Sequence, residues 1–243
     1  MTSSPTAFSS KKIRRPQGII IAIDGPAGSG KSSVGKLAAS TIGYRFLNTG
    51  EMYRALTWKV LERGIKVSDE KVIMKLAKKI KWEFKAVKGP ALRTFADGVV
   101  ADKYISQDSV GRNSSLVAGL PAVRKFMRAI QRKLGKNGGI VMEGRDIGTN
   151  VFPDAEIKVY LDASAKERAE RRISQLKSQG FEAAYKNILD SIQQRDRQDA
   201  QRRINPLKKA EDAVVMDTTN LTLKQVAGKI VGLHFELTGK RSI

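Results

Sequence analysis

Nine consecutive residues near the start of the chain have the types and spacing of a phosphate cradle: Gly25, Pro26, Ala27, Gly28, Ser29, Gly30, Lys31, Ser32 and Ser33. Gly25, Gly28 and Gly30 let the backbone bend tightly and turn successive N–H groups inward as an anion nest. A helix starting near Lys31 would aim its positive dipole end at the same point. Lys31 is then expected to reach the β- and γ-phosphates of a nucleotide. The Ser32 hydroxyl would ligate Mg²⁺, and Ser33 would open the helix beside the α-phosphate. Further charged residues lie along the chain. Arg145 and Asp146 leave an apolar run at its carboxyl end, where open α/β sheets bind ligands. Arg195, Asp199 and Arg202 recur at i, i+4 and i+7, one helix face that is either a ligand-binding set or a surface ion-pair ladder. Arg168, Arg171 and Arg172 at i, i+3 and i+4 are either a group that closes over phosphates or a basic solvated face.

These residues need elements to hold them. Five short β-rich runs stand out, at 19–24, 44–49, 139–143, 157–162 and 213–217. Several are almost wholly apolar, as strands buried on both faces of a parallel sheet must be. Helical stretches alternate with them, which predicts a doubly wound α/β layer structure. Between about 66 and 115 the texture changes. "KWEFKA" alternates, "KGP" turns the chain, and "LRTFADGVVADKYI" reads as two strands around an Asp97-Gly98 hairpin turn. This predicts a small antiparallel insertion, which either carries substrate contacts or decorates the fold. Residues 1–17 are polar, then basic, and are expected to form a disordered tail, leaving 18–243 as the folded domain.

Bulk composition narrows the classes. There is no cysteine, which excludes disulfides and thiol metal sites, and one histidine, His234, in a C-terminal helical stretch where a packed or surface role is expected. No apolar run approaches the roughly 20 residues of a membrane span, and the N-terminus lacks the apolar core of a secretory signal, so a cytoplasmic protein is expected. The formal charge is +21, and removing the tail cations Lys11, Lys12, Arg14 and Arg15 leaves +17 on the body. Such an excess suits a nucleic-acid binder or an arginine-rich nucleotide pocket with a lysine-rich surface. No cluster of aromatics resembles a base-stacking platform, which favours the second.

The longer motifs discriminate further. "LNTGEMYR", "VMEGRDIGTNVFPDAEIKVYLDASAKERAERR", "QQRDRQDAQR" and "AVVMDTTNLTLKQV" together resemble the bacterial cytidylate kinases, nucleoside monophosphate kinases that phosphorylate CMP and dCMP with ATP in pyrimidine metabolism. The resemblance runs from about Ile19 to the end. It implies a P-loop three-layer fold with a five-stranded parallel sheet, a monophosphate-binding insertion and a helical lid at about 164–205. Thr49, read as a helix N-cap, Tyr53 and Arg54 would line the monophosphate site, with Arg54 on the phosphate. Arg145 would hold the acceptor phosphate and Asp146 the cytosine amino group, as carboxylates do with cytosine N4 elsewhere. Ser115 and Arg124 would join the base pocket. Arg195 and Asp199 would reach the sugar, and Arg202 the transferring or acceptor phosphate. Lys31, Arg54, Arg145 and Arg202 would be the catalytic set, and Arg168, Arg171 and Arg172 the lid arginines. The implied partners are ATP, Mg²⁺, CMP and dCMP, with no membrane, no obligate nucleic acid and a monomeric chain. A basic nucleic-acid-binding protein using ATP as a switch is the competing reading. Three departures are visible: "ISQ" at Ile105 to Gln107 stands where the family often has "IRT", Asn48 where it commonly has aspartate, and Glu51 where it has alanine.

Overall fold

The computed structural model describes residues 15–178, 180 and 182–239. Strand β1 (Ile20–Asp24) is buried along its whole length and lies at the centre of a parallel sheet. Its neighbours are β6 (Ile140–Glu143) and β7 (Ile157–Asp162), and the edges are β2 (Arg45–Asn48) and β8 (Val214–Asp217), in the order β2-β6-β1-β7-β8. Because side chains alternate across a strand, each central strand feeds two cores. Ile20, Ala22, Ile140 and Met142 point into one, which is completed by α2 (Thr49–Glu62) and α6 (Pro121–Gly135). Ile19, Ile21, Ile23 and Val141 point into the other, against α1 (Lys31–Ile42) and α9 (Leu223–Thr238). The result is the expected three-layer α/β arrangement, with every strand aimed the same way. No helix among the described residues is long and apolar enough to cross a membrane.

The insertion begins with α3 (Glu70–Lys79), capped by the Asp69 carboxylate on the Val72 N–H. Strands β3 (Trp82–Ala86), β4 (Leu92–Ala96) and β5 (Val99–Val100) form an antiparallel sheet. Asp97 and Gly98 both have positive φ (55° and 79°), the conformation a two-residue hairpin with the sheet's twist requires. The small sheet is tethered to β2 by a bond from the Phe46 N–H to the Pro90 carbonyl at 2.8 Å. After α4 (Asp102–Ile105), helix α5 (Asp108–Gly119) runs straight through residue 115 and packs on α2 and α6. The change of texture at 115 is therefore inside a helix and marks no boundary.

Helices α7 (Ala165–Ser178) and α8 (Tyr185–Ala200) pack against each other after β7. At the other end of the described chain, Arg15 and Gln17 already belong to the domain. Arg15 pairs with Asp154 at 2.6 Å and with Glu156, and the Gln17 N–H donates to the Asn137 carbonyl at 2.9 Å. The rest of the tail, residues 1–14, lies outside the described residues.

Candidate active site

The glycine-rich turn between β1 and α1 needs its glycines. Gly25 sits at φ 149°, and a Cβ there would stand 2.1 Å from the Leu161 carbonyl oxygen. Gly30, at φ 88°, caps α1 and leaves the helix's first N–H groups facing the turn. Lys31 folds over the loop: its Nζ donates to the Pro26 carbonyl at 2.5 Å and to Ser29 Oγ at 3.3 Å. Burial, with Arg145 and Arg195 nearby, pushes this ammonium down to about 7 against the pull of Glu143 and Asp24. An anion in the cradle would relieve that cost.

Two carboxylates that sequence reasoning left unassigned sit at the ends of the central strands. Glu143, buried at the end of β6, accepts the Ser32 hydroxyl at 2.5 Å. Asp24, at the end of β1, accepts from the Ile147 N–H at 2.8 Å and the Gly148 N–H at 2.7 Å. Burial, only partly offset by these two bonds, holds the Asp24 carboxyl up at about 6. Asp24 thereby fixes the π-helical turn Ile147–Val151 that follows Arg145 and Asp146, a distortion often found at functional sites. The available signal was positional: each is a lone acid closing an apolar strand.

Thr49 is not the cap of α2. Asn48 occupies that position, and Thr49, the first helical residue, donates its hydroxyl to the Glu143 carbonyl at 2.7 Å. The cap residue's own side chain is turned to Glu51 Oε1, at 3.2 Å from Asn48 Nδ2. Burial, with Asp102 and Glu143 adding repulsion, pushes the Glu51 carboxyl up to about 7.

Beyond the cradle, Arg145, Arg202 and Arg195 gather round one carboxylate, and Arg54 stands beside Arg145 and Arg195. Asp199, 1% exposed, accepts from Arg145 Nε at 2.7 Å and pairs with Arg202 through its other oxygen. Burial works against its charge, but Arg145, Arg202 and Arg195 together outweigh it and hold the carboxyl below its ordinary range. Arg195, one turn earlier on α8, is held down to about 9 by burial and then by Arg145 and Arg54. Arg54 is lowered by burial and then by Arg145 and Arg172. Arg195 Nε is buried and has no hydrogen-bond partner among the described residues. Mutually repelling guanidinium groups with an unused buried donor are the electrostatic signature of an anion site. Arg202 reaches it differently from the expectation of one helix face: α8 ends at Ala200, and the chain turns so that Arg202 points back to Asp199.

Asp146 and Arg124 form a buried ion pair at 2.7 Å beside this cluster. Asn150, which sequence reasoning missed, donates to Asp146 Oδ2 at 2.9 Å. The Arg124 guanidinium also donates to the Ala118 carbonyl at 3.1 Å and lies 5.7 Å from the Tyr53 ring centroid. Ser115 is half-buried on α5, and its side chain makes no hydrogen bond among the described residues.

The three arginines of α7 do not share one environment. Arg168 is buried, donates to the Ala27 carbonyl of the cradle at 3.0 Å and pairs with Asp196 of α8 at 2.7 Å. Arg171 ties α7 to the loop after β8 through the Thr218 carbonyl at 2.5 Å. Arg172 is exposed and bonds Gln175 at 2.9 Å. His234 is buried far from the cleft, 3.2 Å from the Tyr44 hydroxyl, a packing role.

The chain matches the family model described as cytidylate kinase over residues 21–235. It is 44% identical over 221 residues to a cytidylate kinase of Caldicellulosiruptor saccharolyticus, covering 91% of this chain and 97% of that one. It is also 44% identical over 211 residues to the cytidylate kinase of Bacillus pumilus, covering 87% and 93%. Among solved structures, shikimate kinase from Acinetobacter baumannii in complex with shikimate matches with a TM-score of 0.45 at 15% identity, over 91% of this chain and 94% of that one. With a family match across nearly the whole folded chain and close relatives covered almost end to end, this protein belongs to the cytidylate kinase family.

Proposed function

We propose that the protein transfers the γ-phosphate of ATP to CMP or dCMP, giving ADP and CDP or dCDP. The observation that carries this reading is the group of Arg145, Arg195 and Arg202 around the carboxylate of Asp199, with Arg54 beside Arg145 and Arg195, next to the cradle and next to the buried Asp146–Arg124 pair. Phosphoryl transfer asks for placement and charge neutralisation more than covalent chemistry. Residues 25–33 hold the triphosphate of ATP through backbone N–H groups and Lys31. The acceptor phosphate of CMP rests on Arg54, Arg145 and Arg202. Its oxygen is the nucleophile and is ionised near neutral pH, so no strong base is required, and the remoteness of His234 is consistent with that. Lys31 and the arginines stabilise the equatorial oxygens of the transferring group. Asp146 accepts from the cytosine amino group, with Arg124 and Asn150 holding the carboxylate in place. Arg195 and Asp199 lie toward the sugar. Closure of the α7–α8 pair, linked to the cradle through Arg168 and Ala27, would exclude water from the reacting phosphate.

Ser32 and Glu143 offer two oxygen donors to Mg²⁺. No group of three or more carboxylate or imidazole ligands with metal-binding geometry occurs among the described residues. That sparse oxygen set suits an ion that keeps waters and takes its other ligands from phosphates. When bound, Mg²⁺ would supply charge neutralisation at the β- and γ-phosphates.

A coupled assay for ADP formation with CMP, dCMP, UMP and AMP as acceptors tests the proposal. ADP is expected only when an acceptor is present, with CMP and dCMP the best. The Arg145→Ala variant is expected to keep its circular dichroism spectrum and lose transfer by about 10²–10³-fold. Acceptor-independent ADP release, or a preference for AMP, overturns the reading.

A further inference from the structure

The cleft absorbs little of the +21 charge. Arg124 is paired with Asp146, Arg145 and Arg202 with Asp199, and Arg168 with Asp196. The excess lies elsewhere, and a large part of it is on one surface. Helices α3 and α6 pack against each other over the same core, and the Glu70 carboxylate accepts the Ala122 N–H at 2.6 Å to join their starts. Their buried faces carry Ile73, Leu76, Ala77, Val123 and Met127. Their outer faces carry Lys71, Lys75 and Lys78 at i, i+4 and i+7, and Lys125 and Lys133 at i and i+8, with Lys136 at the C-cap of α6. All six are exposed, and none pairs with a carboxylate among the described residues. Glu70 is the sole acid of α3 and is occupied by its bond to α6, while α6 contains no acid at all. The bond from the Gln17 N–H to the Asn137 carbonyl brings the start of the described chain to the C-terminal end of α6.

We propose that the α3–α6 face docks the phosphodiester backbone of a nucleic-acid duplex, independently of its sequence and of the catalytic cleft. The chemistry selects this partner. Lysine ammoniums are flexible point charges suited to phosphates, and along α6 and its C-cap they extend over about 16 Å of helix axis, room for several backbone phosphates of a duplex. The exposed surface of the two helices offers no aromatic ring for stacking unpaired bases, which argues against a single strand. It offers only one large exposed hydrophobic, Val72 at 39%, which gives neither the apolar insertion of a membrane-surface helix nor the buried anchors of a protein interface.

The test uses the full chain, a fluorescent RNA duplex and a DNA duplex of the same length, titrated at several salt concentrations. Both duplexes are expected to bind with similar affinity. With four to five phosphates neutralised, the slope of log K against log salt is expected to be about −4, a loss of a few hundred-fold between about 50 and 200 mM salt. The Lys75→Glu, Lys78→Glu, Lys133→Glu, Lys136→Glu variant is expected to lose at least about 100-fold in affinity. Its thermal midpoint and its phosphorylation of CMP are expected to match the wild type. A Lys11→Ala, Lys12→Ala, Arg14→Ala variant is expected to lose less than the four-glutamate one. The proposal is overturned if the wild-type chain fails to bind either duplex at low salt, or if the four-glutamate variant binds undiminished. It is equally overturned if the tail variant accounts for the whole affinity, or if anionic phosphatidylserine vesicles bind this face more tightly than the duplexes. None of these outcomes bears on the kinase reading, because the four lysines lie outside the cleft.

Discussion

Replacing Asp199 by asparagine removes the negative charge that Arg145 and Arg202 share. The side chain keeps its size, so the effect is electrostatic. Asp199 is 1% exposed, while the side chains of its partners Arg145 and Arg202 are 18% and 10% exposed. Taking one partner from a fully buried ion pair costs about 3–5 kcal/mol, and the partial access of water to the guanidiniums lowers this to about 2–4 kcal/mol. For a chain of this size the melting point should fall by about 4–16 °C. Sulfate supplies the missing charge. The gap between wild type and variant is therefore expected to narrow in sodium sulfate relative to sodium chloride at matched ionic strength, a comparison in which the general salting effect cancels. The pH dependence has a definite sign. The folded-state pKa of Asp199 is depressed, so its stabilisation is complete above the ordinary carboxylate value near 3.9 and is lost as the pH falls toward the folded value. The gap should be widest near neutrality and close in acid. Melting curves by differential scanning fluorimetry decide the matter. An unchanged midpoint in Asp199→Asn, or a gap indifferent to sulfate, refutes the picture of a carboxylate restraining an anion site.

Lys31, held down to about 7, is largely neutral at pH 8 and is recharged by an arriving phosphate, so ADP binding at that pH should take up close to one proton, and at pH 6 almost none. Isothermal titration in buffers of differing ionisation enthalpy reads this uptake directly, and equal uptake at both pH values contradicts it. The Asp146→Asn variant should lose about 10–100-fold of the discrimination between CMP and UMP in kcat/KM; unchanged selectivity removes Asp146 from base recognition. A Gly25→Ala substitution would force a Cβ to within 2.1 Å of the Leu161 carbonyl, and should abolish ADP binding measured by equilibrium dialysis. Retained affinity would mean that the turn can relax.

The sheet was legible because its signals are local. Five apolar runs between helical stretches specify a parallel layer, and the observed strands begin and end within one residue of them. The cradle was legible for the same reason: its glycine positions are demanded by backbone angles that the sequence carries within nine residues. What stayed hidden depends on meetings between distant segments. Asp24 acquires its role from two N–H groups more than 120 residues away, and Glu143 from Ser32, 111 residues earlier. Thr49 looked like a helix cap because strand-to-helix junctions favour threonine, yet its hydroxyl is drawn to the Glu143 carbonyl and the cap falls to Asn48. Spacing found Arg195, Asp199 and Arg202, but it predicted a face on a continuous helix. The helix ends at Ala200, and the bend brings Arg202 to the carboxylate of Asp199. Charge divides along the same line. An exposed lysine needs no partner, so the basic stripes of α3 and α6 can be read from sequence spacing alone. A buried arginine is tolerable only where the fold delivers a carboxylate or a ligand to it. The arginines that matter to the cleft are therefore those whose partners come from other elements, and sequence motifs mark their positions without showing what balances them.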